Sequence, residues 1–174
     1  SPGPDGAPSV YVYRFAAGPA RSPTHPLTAN LANVVSLLGY HVIGEPRAGA
    51  NADVAVWWRV EATPNPGDYG PVARLTDAWG FVWGETSPFH YPAEQWAPGE
   101  IIVDHLTIPV APGAPPGDYA VRFSLYSAQA NATLNVLDPA GNYAGTTVGL
   151  PLRVNRASRP PSPGDLGIRT RLDI

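Results

Sequence analysis

Large apolar residues recur at every second position along residues 117–126, with Tyr119, Val121, Phe123 and Leu125 set against Ala120, Arg122, Ser124 and Tyr126. Period-two alternation turns one set onto a buried face and the other toward solvent, as in a strand with one covered face. Residues 54–61 repeat the pattern, with Val54, Val56, Trp58 and Val60 on one face and Ala55, Trp57, Arg59 and Glu61 on the other. Trp58 is therefore expected in a core and Trp57 on the outer face of its sheet. Further strands are expected at 10–15, at 34–43 with a bend at Gly39, and at 72–76, 81–83, 101–110, 132–137 and 147–154. Residues 27–36 carry no decisive signal.

The punctuation agrees with strands. Asp77-Ala78-Trp79-Gly80 between two apolar runs reads as a hairpin turn, the aspartate accepting backbone N–H groups and the glycine taking a positive φ. Residues 138–142, Asp-Pro-Ala-Gly-Asn, read as a second such turn closing the last hairpin. Twenty-two prolines suit loops and strand edges rather than helix interiors, and no long 3.6-residue period is present. The expected fold is all-β: an immunoglobulin-like sandwich of seven to nine mostly antiparallel strands in two sheets. Val56, Trp58, Val60, Tyr119, Val121, Phe123, Leu125, Leu150 and Leu152 should face the space between the sheets.

The domain layout expected is a Pro/Gly linker over 1–9, the sandwich over 10–155, and a Pro-rich linker with a C-terminal strand over 156–174. In that last segment Leu166, Ile168, Leu172 and Ile174 alternate with charged residues. Such a strand can pair with other copies of the chain or a larger envelope assembly, add to its own sheet edge, or begin a following module.

Composition narrows the function. Of 174 residues, 44 % are apolar and only 14 % charged, so ion-pair networks are not the main stabiliser. A net charge of −3 without a clustered basic face argues against a nucleic-acid partner. All eleven basic residues are arginine. A GC-rich genome explains this alongside the abundant Ala, Gly and Pro, with adaptation through arginine's better-organised ion pairs as the alternative. There is no cysteine, hence no disulfide framework. There is no methionine either, which makes Ser1 the product of processing or of a boundary within a longer protein. No apolar run reaches the roughly 18 residues of a membrane span, so no transmembrane segment is expected in this chain.

Candidate chemistry is sparse. The histidines at 25, 41, 90 and 105 lack metal-ligand spacing, so no metal and no cofactor is expected. Asp104 and His105 are neighbours on a strand and point to opposite faces, which excludes a dyad. Glu94 and Glu100 flank Trp96 as a conceivable carboxylate pair, but Glu100 also belongs to a Trp-x-Pro-Gly-Glu turn, and no second motif supports catalysis. Asn131-Ala132-Thr133 matches a glycosylation acceptor, a chance match in a chain of bacterial composition. The aromatics are the better lead. Trp79 lies in the hairpin turn, Trp83 near that hairpin's end, and Tyr91 and Trp96 on one long connection, and exposed rings there can stack on the C–H faces of sugars, making polysaccharide a candidate partner. For Trp96 the competing expectation is a plug for the open end of the sandwich.

The wording of residues 34–154 also resembles a known family. Leu37-Leu38-Gly39-Tyr40, the run VWWRV followed by PGDY, LTDAWG, YPAEQWAPGE and PPGDYAVRFSLY together look like a β-sandwich domain of bacterial extracytoplasmic envelope proteins. Such domains occur appended to membrane glycosyltransferases that use polyprenyl-phosphate sugars, in filamentous phototrophic bacteria and their relatives. The connections between 126 and 147 are longer and richer in Ala and Asn than the family pattern. The resemblance implies an extracytoplasmic, non-catalytic structural or interaction module of an envelope protein or surface assembly. The alternatives are a carbohydrate-binding module using exposed aromatics, or the accessory outer domain of a membrane glycosyltransferase.

Overall fold

The computed structural model describes residues 22–63, 69–87 and 92–166, and of Glu94 the backbone alone. Among these residues there is no α-helix, and eleven strands follow one another. They are β1 (His25–Leu31), β2 (Val35–Ile43), β3 (Asn51–Val60), β4 (Gly70–Thr76), β5 (Val82–Thr86) and β6 (Ile101–Pro109). Then come β7 (Gly117–Ser127), β8 (Ala132–Thr133), β9 (Val136–Leu137), β10 (Tyr143–Gly145) and β11 (Val148–Val154). Eight of the eleven are five residues or longer, and the other three are short pieces of a connection. One sheet runs β10-β9-β1-β2-β3-β6, the other β11-β7-β4-β5, with β8 taking up β7 where β11 leaves off. All strand pairs are antiparallel, and the two sheets pack as a sandwich.

The alternating sequences decide which face is buried. On β6 the inward set is Ile102, Asp104, Leu106 and Ile108, and the outward set Ile101, Val103, His105, Thr107 and Pro109. Asp104 and His105 thus diverge, as their adjacency requires. All nine residues assigned to the core from the sequence lie in it. Trp58 sits at its centre, and its indole N–H donates to Asp104 Oδ2 at 2.9 Å. Trp57 is on the opposite face, but at 8 % exposure it is buried there too. The register sets it between Gly39 on β2 and Val103 on β6, and a neighbour without a side chain leaves room for an indole. Gly39 takes φ 143° where the β2–β3 register slips, and a Cβ there would collide with the His25 carbonyl. The bend expected at Gly39 is this bulge.

Two tyrosine-to-proline hydrogen bonds and one edge contact fix the fold. Tyr40 Oη donates to the Pro151 carbonyl at 2.6 Å, joining a strand of one sheet to the edge of the other. Burial pushes the Tyr40 phenol up from its ordinary pKa. Tyr119 Oη donates to the carbonyl of Pro115, four residues upstream, at 2.7 Å. This tyrosine corner explains why Pro-Pro-Gly-Asp-Tyr precedes an alternating strand. On the far side, β5 and β6 close the sandwich edge to edge. The Ala111 N–H donates to the Trp83 carbonyl at 2.8 Å, and Gly84 lies so near the Pro109 carbonyl that a Cβ would not fit.

One expectation needs correction, and one undecided stretch is resolved. Residues 132–137 are not one strand: β8 pairs with β7 in one sheet, and β9 pairs with β1 and β10 in the other. The buried Leu134 turns the corner between them, its N–H donating to Leu125. The undecided stretch 27–36 contains most of β1, whose sequence HPLTANL lacks the β-branched alternation that marks the other strands. The strand expected at 10–15 and the linker over 1–9 lie outside the described residues.

Candidate functional site

The β4–β5 hairpin turns on Asp77. Its Oδ1 accepts the N–H groups of Trp79 at 2.9 Å and Phe81 at 3.0 Å, and its Oδ2 accepts the Trp83 indole N–H at 2.8 Å. The Gly80 N–H returns to the Asp77 carbonyl, and Gly80 takes φ 86°, which a residue with a Cβ enters only with strain. Desolvation pushes the Asp77 carboxyl up, but the donors from Trp83, Phe81, Trp79 and Gly80 outweigh it and hold the pKa below the ordinary aspartate value. The result is a tied-down tip that presents aromatic surface. Trp79 is 81 % exposed, Phe81 66 %.

Beside this tip, the outer face of the second sheet forms an open groove of about 440 Å³. Its floor follows from the β4–β7 register, which sets Val72 opposite Ser124, Arg74 opposite Arg122 and Thr76 opposite Ala120. Thr147, just before β11, extends the floor, and residues 77–80 form the wall. Thr76 Oγ1 donates to the Ala120 carbonyl at 3.3 Å. Arg74 is held by Glu85 on β5, with Nε to Oε2 at 3.2 Å. A flat indole wall above a floor of hydroxyl and guanidinium groups suits a ligand with one apolar face and many polar edges.

The sequence-derived candidates divide. Trp79 stands at the groove. Trp83 belongs to the same hairpin through Asp77, but it is half-buried and packs against the core, so it supports the tip rather than offering a face. Trp96 is 3 % exposed and meets Trp58 edge-on, with ring centroids 4.5 Å apart. It fills the end of the sandwich and is not a surface residue. Its turn is a fold signature: the Glu100 N–H donates to the Ala97 carbonyl at 3.0 Å, the Ala97 N–H to Glu100 Oε2 at 3.2 Å, and Gly99 takes φ 87°. Glu100 is thus a turn residue. Tyr91 and the Glu94 side chain lie outside the described residues. Leu166, the last residue described, ends a turn in which Asp165 accepts from Ser162, and its side chain lies against Gly113. Ile168, Leu172 and Ile174 lie outside the described residues, and with them the C-terminal strand.

Sequence reading missed the floor. Arg122 and Ser124 stood on the outward face of one expected strand, Arg74 and Thr147 fell in two others, and only the pairing register brings them together. Among the described residues no cluster of three His, Cys, Asp or Glu side chains could hold a metal ion, and no helix is long and apolar enough to cross a membrane.

No protein-family model matches this chain, and a search of curated proteins finds no significant match. Among solved structures, the crystal structure of the C-terminal domain of Wzt is similar at 13 % sequence identity and a TM-score of 0.50. The match covers 78 % of this chain and 83 % of that one. The likeness is one of fold.

Proposed function

We propose that this domain is a non-catalytic carbohydrate-binding β-sandwich whose ligand lies in the groove over β4 and β7, stacked on Trp79. The exposure of Trp79 carries this reading. An indole left in water forgoes roughly 2–3 kcal/mol of burial. Here its backbone is also tied down beside a polar groove, by a carboxylate whose two oxygens are both engaged on the same hairpin. A turn whose backbone is already fixed loses little entropy when a sugar ring settles on its tip. The setting proposed is extracytoplasmic, as part of a bacterial envelope protein or as the outer domain of a membrane glycosyltransferase, and it rests on the sequence resemblance.

Glycan-array binding of the intact chain, followed by tryptophan fluorescence quenching with the best binders, tests the proposal. Trp79→Ala should abolish both signals while leaving the melting temperature nearly unchanged. Binding that survives Trp79→Ala would remove this site.

Phe81 and Val82, exposed beside Trp79, favour a second reading, in which the same hairpin is a protein contact of a structural assembly. Light scattering separates the two. A mass above the monomer that falls with Phe81→Ser, in a protein that binds no glycan, supports the assembly.

A further inference from the structure

We infer that the groove takes an acidic saccharide, a uronate-containing glycan that delivers one carboxylate to Arg122. This rests on the carbohydrate reading of the groove and specifies its ligand. The starting point is an unfavourable pair: Arg74 and Arg122 face one another directly across β4 and β7. Like charges opposite each other in an antiparallel ladder repel. Arg74 is compensated on its far side by Glu85, through contacts at 3.2 and 3.3 Å. Among the described residues Arg122 has no such relief. Its other neighbour in the row is Gly149 on β11, which has no side chain, and the Arg122 guanidinium extends over it.

The remaining acids on this face are committed. Asp77 spends both oxygens on Trp79, Phe81 and Trp83. Asp118, the outward residue two turns of the pleat before Arg122, pairs with Arg153 at 3.1 Å. Among the described residues no carboxylate pairs with Arg122, so an exposed guanidinium fork stands open on the groove floor.

The charges also limit what can bind. Arg74 with Glu85 and Arg122 with Asp77 balance formally, so the groove has no broad positive field of the kind a nucleic acid or a heavily sulfated polymer requires. It offers one directional, planar donor instead. A guanidinium matches a carboxylate with two parallel N–H···O bonds. A uronic acid combines that carboxylate with a ring whose C–H face can lie on Trp79, and its hydroxyls reach toward Ser124 and Thr147.

The test uses the intact chain in affinity electrophoresis and calorimetry with polygalacturonate, alginate and hyaluronan, each beside its carboxyl-reduced counterpart. At least one acidic polymer should bind about tenfold more tightly than its reduced form, the scale of one charge-assisted hydrogen-bonded contact. Arg122→Gln should erase that preference, weakening the acidic polymer far more than the reduced one, Arg122→Lys should keep part of it, and Trp79→Ala should weaken both forms. Equal binding of acidic and reduced polymers, or a preference that survives Arg122→Gln, overturns the inference and leaves the carbohydrate reading standing. Absence of binding to all three acidic polymers also overturns it. Trp79-dependent binding of neutral glycans on the array would still support the sugar site, and an empty array would sink both.

Discussion

Two turns in this molecule, 77–81 and 138–142, solve the same backbone problem. In each, an aspartate Oδ1 accepts the N–H groups two and four residues on: Trp79 and Phe81 in the first, Ala140 and Asn142 in the second. Each glycine N–H returns to the aspartate carbonyl, with φ 86° at Gly80 and 87° at Gly141. Even the second carboxylate oxygen is used alike, by the Trp83 indole in one and the Asn142 amide in the other. The cargo differs. One tip shows Trp79 and Phe81 beside a groove, and the other shows Ala140 and Asn142. Backbone demands fix the aspartate and the glycine but leave the third and fifth positions open. The aromatics at 79 and 81 are therefore not required by the turn, which is why a ligand is the better account of them.

The comparison yields graded predictions. The largest effect belongs to a tryptophan that the fold does require: Trp58→Ala should cost about 3–5 kcal/mol, read from urea denaturation. Next come the two glycines. Gly80→Ala and Gly141→Ala should each cost about 1–2 kcal/mol by forcing a side chain into the left-handed region. The two values should agree closely, and a large disparity would show that the turns are not equivalent.

Acid titration acts more weakly. Hydrogen bonds from the Asn142 backbone and side chain lead the effects that hold the Asp138 carboxyl below its ordinary pKa, as the net balance of donors over desolvation does for Asp77. A depressed folded pKa contributes stability that is present above the unfolded value and lost as pH falls through the folded one. Stability should therefore decline below the ordinary aspartate range, and Asp77→Asn or Asp138→Asn should each flatten part of that slope in denaturation series at successive pH values. Only Asp77→Asn should also weaken glycan binding. The smallest effect on folding is that of Trp79→Ala, under about 0.5 kcal/mol, the usual range for an exposed site. A loss comparable to that of Gly80→Ala would mean that the indole serves the turn after all.

These outcomes bear on what the sequence makes legible. Val54–Val60 and Tyr119–Leu125 declared their faces because one side of each strand must be apolar, and Asp77, Gly80, Gly99 and Gly141 declared their turns because few residues meet those backbone demands. The strand β1 stayed hidden because it carries no Val, Ile, Phe, Tyr or Trp and opens on His25-Pro26, and its pairing depends on β2 and β9 rather than on itself. Residues 132–137 looked like one strand because local pattern says nothing about which sheet a partner belongs to. For Trp96, on a connection, the sequence already favoured a plug over a sugar-stacking ring, while it left Trp79 open. One meets Trp58 in space and the other stands 81 % exposed at the groove. The groove was least legible of all, since Arg74 and Arg122 become neighbours only through register.

The corner at Leu134 has a consequence for how the chain reaches this state. Because β9 leaves the second sheet to pair with β1, Asn30 finds its partner in Leu137 and Leu31 in Val136, almost the whole domain apart. The early strands β1, β2 and β3 follow one another closely and can associate as soon as they exist. The flank of β1 is left waiting until β7 is in place and the chain has turned past Leu134. Closing so long a loop costs entropy before any contact repays it, which places the docking of β9 and β10 late and makes folding slow relative to a simple meander. During that interval the bare edge of β1 is the part of the molecule most open to pairing with a stranger.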